Sequence, residues 1–196
     1  MRIDKVGICN MALSLAGAPD YIQSLDENSV IARRCKLLFE PCVEMVLRKH
    51  DWSSAATVTQ LAADTSTPTT LYDHSYPIPF DCVKVVSVYG VADYYSPYDR
   101  WRIIGRNIET DLDAVYLKYV QMPEDYRTLD ILLSEAIAYS IAFHFAPSYI
   151  KDKEMLQLLY LQGERALQSA KAADTLENKE AFTENSPWED ARNGEI

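Results

Sequence analysis

Two periods divide the chain. Ile3, Val6, Cys9, Leu13 and Ala16 fall three and four positions apart, the spacing of one helix face, and Gly17 with Pro19 closes the run. This predicts a helix over 4–16. After the polar cluster Asp26-Glu27-Asn28-Ser29, a second stripe runs through Ile31, Cys35, Leu38, Phe39, Cys42 and Val46, with Arg33, Arg34, Lys36, Glu40 and Glu44 off it. The predicted helix ends near His50. Pro41 lacks the amide that would bond the Leu37 carbonyl, so a kink or a restart is expected there. From Ala55 the period drops to two: ATVTQL, then a loop rich in Asp, Ser, Thr and Pro, then FDCVKVVSVYG at 80–90 read as strands and their connection. WRIIGRNIET at 101–110 predicts a hairpin about Gly105-Arg106-Asn107, and AVYLKYV at 114–120 alternates Val115, Leu117 and Tyr119 against Tyr116, Lys118 and Val120.

Past Pro123 the helical period returns. Leu129, Leu132, Ala136, Tyr139 and Phe143 form a stripe that Leu133, Ile137 and Ile141 widen until little polar face is left, which predicts a central helix that Pro147 ends. A last helix from about Lys151 carries Met155, Leu159, Gln162, Ala166 and Ala170 opposite Asp152, Glu154, Glu164, Arg165 and Lys171. The short Pro147-Ser148-Tyr149 joint predicts an antiparallel pair. Beyond Leu176 the period fades into ENKEAFTENSPWEDARNGEI, acidic and with isolated Phe182 and Trp188, a composition expected to stay disordered until it meets a partner. The expected fold is α+β, mainly α. A helical bundle built from 1–54 and 123–176 flanks a small antiparallel β-rich insertion at 55–122, and 177–196 forms an extended arm.

Composition narrows the function. With 48% hydrophobic residues in 196, one sizeable core needs no crosslinks. The net charge of −10 and the lack of a long basic run exclude a surface built to neutralise many phosphates. Cys9, Cys35, Cys42 and Cys82 lie inside apolar patterns, as reduced core thiols do. Asp4 and Asn10 interrupt the N-terminal apolar stretch, which argues against a signal peptide despite Ala16-Gly17-Ala18, and no other segment approaches the ~20 consecutive apolar residues of a membrane span. Tyr72, Tyr76, Tyr89, Tyr94, Tyr95 and Tyr98 crowd a stretch too short to need them all inside, so part of this aromatic surface is expected to face a partner. The candidate contacts are Tyr94, Tyr95 and Tyr98 here, and Phe182 and Trp188 in the arm.

Candidate chemistry is sparse. His50, Asp51 and Ser53 in RKHDWSSA carry triad residue types, but triad members this close in sequence cannot easily align in relay. Arg48, Lys49 and His50 are instead the cations a helix C-terminus favours, and Trp52 is the anchor where the chain leaves for the sheet. Cys35 and Cys42 stand seven residues apart, about 10.5 Å along a helix, too far to share a metal. His144 in AFHFAPS reads as a core or interface histidine, and Glu154 and Glu164 as solvated charge. No phosphate-loop, dinucleotide, metalloprotease, nucleophile-elbow or EF-hand motif is present in the sequence. No catalytic, cofactor-binding or metal-binding residue is expected. The rival readings are a cell-wall or peptide hydrolase using His50 or His144, and a binding module or assembly chaperone outside any particle.

The order of segments resembles a known family. LSLAGAPDYIQSLDENSVIARRCKLLFEPCVEMVLRKHDW, a short helix with a Gly-X-Pro-like break before a long helix closed by His or Arg and Trp, is followed by YPIPFDCVKVVSV at 76–88. IGRNIETDLDAVYLKYVQMPEDYRTLDILLSEAIAYSIAFHF then brings a strand, a Met-Pro and an aromatic helix. Across roughly residues 5–176 this is similar to the bacteriophage head-to-tail adaptors called tail tubular protein A in short-tailed phages. The resemblance implies a non-enzymatic virion protein at the head–tail interface, present in the host cytoplasm during assembly. It implies a ring, expected to be dodecameric, bound to the portal protein on one side and to the tail nozzle, tail tubular protein B, on the other. DNA would cross its channel without specific binding, with no cofactor and no membrane. The arm ending SPWEDARNGEI has no counterpart in the family pattern.

Overall fold

The computed structural model describes residues 3–64, 72–90 and 101–177. Its helices are α1 (Lys5–Leu15), α2 (Val30–Leu47), α3 (Ile131–Tyr149) and α4 (Lys153–Glu177), and its strands are β1 (Ala56–Leu61), β2 (His74–Pro77), β3 (Cys82–Tyr89), β4 (Trp101–Ile104), β5 (Asn107–Thr110) and β6 (Val115–Gln121). The fold is α+β and mainly α, as the sequence predicts.

Local chemistry starts and stops the helices. Asp4 caps α1 by accepting from the Gly7 amide, Ser29 caps α2 through Ala32, Asp130 caps α3 through Leu132, and the Asp152 carboxylate accepts from Glu154 at the start of α4. Gly17, at φ 73°, ends α1: its amide reaches the Ser14 carbonyl and that of Ala18 reaches Leu13, the paired bonds of a Schellman stop. Asn10, a polar interruption in the sequence pattern, has a local task. Its side-chain amide donates to the Ile22 carbonyl at 2.8 Å and accepts from the Ile22 amide at 2.9 Å, which fastens the α1–α2 loop to α1.

The prolines depart from expectation. α2 runs through Pro41 without restarting, and α3 runs through Pro147 to Tyr149 rather than ending there. Both prolines, and the Leu37 and Phe143 residues whose carbonyls lose a partner, are exposed, so water can take the place of the missing amides. α3 is the central helix and packs against α1, α2 and α4. Among the described residues it is the one helix long and apolar enough to cross a membrane, where the sequence predicts no such span; half of it is buried inside the protein. Phe143, placed on its core stripe by spacing, is 47% exposed. α4 turns part of the expected stripe inward: Leu159 and Ala170 are buried and Ala166 is half-buried, but Leu167 and Asp174 are buried with them, whereas Met155 is 52% exposed and Gln162 faces solvent.

The β part has two antiparallel sheets of three strands, ordered β1-β6-β3 and β2-β5-β4. The first is a middle layer. Val83, Val86 and Val120 join the bundle core, while Val88, Val115, Leu117 and Tyr119 meet Tyr76 and Ile108 in a second core. Two irregularities in the β3–β6 register break strict alternation and let β3 serve both. β2 forms where the sequence predicts a loop, and Phe80, predicted to lie in a strand, lies in the turn before β3. The hairpin turn falls at Gly105-Arg106, with Gly105 at φ 61°. Cys9, Cys35 and Cys42 are buried free thiols of the bundle core. Hydrogen bonding with Cys35 and then burial raise the Cys9 thiol, and burial raises Cys42, so both stay protonated and inert.

Candidate functional site

RKHDWSSA is where the bundle meets the sheet, and its residues reach out to different elements. Arg48 donates to the Val83 carbonyl on β3 at 2.6 Å, and Asp51 accepts from Lys84 at 2.5 Å. Lys49 pairs with Glu164 on α4 at 3.9 Å. Trp52 is 1% exposed and donates from Nε1 to the Val46 carbonyl at 3.2 Å, with the His50 ring edge-on at 4.8 Å. His50 Nε2 and Asp174 Oδ2 lie 3.0 Å apart, while Asp174 Oδ1 accepts from the Ser53 amide at 2.9 Å and from its hydroxyl at 2.5 Å.

A serine, a histidine and an aspartate thus come together in the wrong order for a relay. A nucleophilic serine needs the imidazole against its hydroxyl and the carboxylate behind the imidazole. Here the carboxylate stands between them, and the Ser53 hydroxyl is directed onto it. The cluster can clamp; it is not arranged to activate Ser53. Asp51, the acid named by sequence spacing, is turned away to Lys84, and Asp174, which does the joining, lies more than a hundred residues downstream. No short-range signal could have found it.

Two other places present apolar side chains to water. α2, α3 and α4 enclose a cleft of about 290 Å³ walled by Met45, Tyr139, Phe143, Leu159, Tyr160 and Leu167. Its floor is a close approach: a Cβ on Gly163 would come 3.2 Å from the Tyr139 Cβ, so the helices nearly touch there. Phe143 and Tyr160 are tilted against each other with ring centres 5.8 Å apart; Met155, Leu158 and Leu161, each about half exposed, lie on α4 outside the cleft. Lys49, Glu164 and the exposed His144 edge the cleft, and Glu135 lies near enough to Tyr139 to join burial in raising that phenol.

The second place is the turn Pro79–Cys82, where Phe80 is 96% exposed. Its backbone is held at several points. The Cys82 amide reaches the Pro79 carbonyl at 3.1 Å, Ile78 donates to the Arg106 carbonyl at 2.8 Å, Met122 donates to the Asp81 carbonyl at 2.8 Å, and Arg106 donates to the carbonyls of Pro79 at 2.8 Å and Phe80 at 3.4 Å. The Arg106 guanidinium lies 5.7 Å from the Phe80 ring centre. A phenylalanine fixed in water by this many bonds is pre-organised for contact. Pro and Asp flanking Phe80 were the sequence signal for a turn, and the apolar run after it masked that signal.

Tyr94, Tyr95, Tyr98, Phe182 and Trp188 lie outside the described residues. Tyr76, from the same aromatic stretch, is core: it is 1% exposed and donates to the Leu112 carbonyl at 2.7 Å. His144 lines an open rim rather than the core. Among the described residues no group of three or more His, Cys, Asp or Glu side chains converges as a metal site would require. No protein-family model and no curated protein sequence matches the chain.

Proposed function

We propose that the chain is a structural subunit, a head-to-tail adaptor that self-associates into a ring between a phage portal and the tail nozzle and lines part of the DNA channel. The observation that carries this reading is the display of large apolar side chains on fixed backbone at two separate places, the Phe80 turn and the α2–α3–α4 cleft. Isolated exposed apolar residues are ordinary, but contiguous ones on pre-organised elements mark surfaces that bind other proteins. The order of segments over residues 5–176, similar to that of the phage adaptors, supplies the identity of the partners. The net charge of −10 suits a wall that DNA must pass without sticking. The triad residue types favour no hydrolase, because the Ser53 hydroxyl donates to the Asp174 carboxylate instead of to the His50 imidazole.

The direct test is electron microscopy of the protein alone and mixed with purified portal rings. The expected result is a ring of density stacked coaxially on the portal. Portal rings that remain bare at saturating protein reject the proposal.

A further inference from the structure

The two apolar displays differ in shape. One is a projection, a phenyl ring standing clear of its turn. The other is a recess between helices, with room for such a ring. Their charges differ as well. Arg106 beside Phe80 has no carboxylate partner among the described residues, and the Asp81 carboxylate takes the Tyr119 hydroxyl at 3.3 Å. At the rim of the recess, Glu164 meets only the 3.9 Å approach of Lys49. A guanidinium without a carboxylate next to the ring matches a loosely paired carboxylate next to the hole.

We infer that Phe80 inserts into the α2–α3–α4 cleft of a second copy of this chain, with Arg106 set against Glu164 on its rim. Projection and recess are different surfaces, so the contact is heterologous: each copy offers its own Phe80 to one neighbour and its own cleft to another. Such a contact repeats, as a closed ring where the rotation permits and as a filament where it does not. The phenyl ring contributes an aromatic anchor in a pocket, the usual centre of an interface, and the half-exposed Phe143 and Tyr160 supply apolar surface at its mouth. The pairing stands on this geometry alone, and rests on the adaptor reading only for the claim that the repeat closes into a ring.

Mixing variants tests it. Sedimentation velocity over a concentration series compares the full chain with Phe80→Asp, the milder Phe80→Ala, and Tyr160→Asp in the cleft. Phe80 and Tyr160 are exposed, so each variant should keep the circular dichroism of the parent. The wild type is expected to self-associate, and each variant to lose roughly tenfold or more in affinity. A Phe80→Asp copy keeps a working cleft and a Tyr160→Asp copy keeps a working Phe80, so a 1:1 mixture should form dimers and nothing larger. A wild type that stays monomeric throughout, variants that associate like the wild type, or a mixture that stays monomeric overturns the inference. So does Phe80-dependent flotation with phosphatidylglycerol–phosphatidylcholine vesicles, which would make the turn a membrane contact. Co-sedimentation of the same proteins with portal rings separates the two claims: portal binding that survives Phe80→Asp with assembly unaltered sinks this pairing and leaves the adaptor standing, and absence of wild-type portal binding sinks the adaptor alone.

Discussion

Trp52 offers the sharpest measurement of how the helices are joined to the sheet. It is 1% exposed and belongs to the bundle core, and its indole N–H ends on the Val46 carbonyl. Trp52→Ala removes the ring from the core and leaves a cavity where α2 hands over to β1. Truncations of this kind cost about 3–5 kcal/mol. For a domain of this size each kcal/mol moves the melting temperature by about 2–4 °C, so the expected fall is about 6–20 °C. Trp52→Phe keeps most of the buried ring but loses the hydrogen bond, and should cost about 2 kcal/mol. Far-UV circular dichroism is the right probe, because the substitution removes a fluorophore. A Trp52→Ala melt that overlays the wild type, or a Trp52→Phe loss as large as that of alanine, would show that the ring does not hold the junction by its burial.

Asp174→Ala strips the acceptor from the Ser53 amide and hydroxyl and from His50, and should cost about 1–3 kcal/mol, with faster hydrogen exchange in the last turn of α4; exchange unchanged there would refute the clamp. Burial pushes the Tyr119 and Tyr126 phenols up to about 12, with Asp81 adding to the first and Glu40 to the second. The unfolded chain loses these protons first, near pH 10, so their contribution is full below that and is lost as pH rises toward 12. Denaturation midpoints should therefore fall across this window, less steeply in Tyr126→Phe, and the share of the tyrosinate absorbance that Tyr126→Phe removes should appear with unfolding, after that of exposed tyrosines such as Tyr21 and Tyr160. Pro41→Ala restores an amide on an exposed helix face and should raise stability by about 1–3 kcal/mol in urea titrations; a loss would mean that the proline fits the helix better than water and alanine do.

Periodicity made the helices and most strands legible, because each buries one face and the burial repeats in the sequence. It failed where one face is not the whole story. On α4 the spacing identifies Leu159 and Ala170 as buried but misplaces two others, because Met155 is apolar yet exposed and Asp174 is charged yet buried; what settles each is a neighbour on another element. β2 offers only four residues ending in Pro77, too few to show a period, so of the second sheet the sequence shows only the β4–β5 hairpin. β3 breaks alternation because its register irregularities let it face two cores. The prolines misled for a related reason: the rule concerns the hydrogen bond lost, and whether that loss matters depends on which side of the helix meets water. At the junction the helix-end reading of RKHDW agrees with the charges and Trp52 found there, but the carboxylate that binds His50 and Ser53 could not be assigned from sequence. Phe80 was hidden for the opposite reason, since exposure of a phenylalanine contradicts its type.

The clamp at Asp174 also bears on the order in which the molecule is made. His50 and Ser53 leave the ribosome early, and the acid that locks them follows after the entire β region and most of two further helices. α1 and α2 likewise wait for α3, the helix on which their apolar stripes close. A nascent chain therefore carries an uncovered greasy surface through most of its synthesis. Closure over so long a loop makes a late, slow step, and a truncated product ending before α3 should be a substrate for chaperones rather than a stable half.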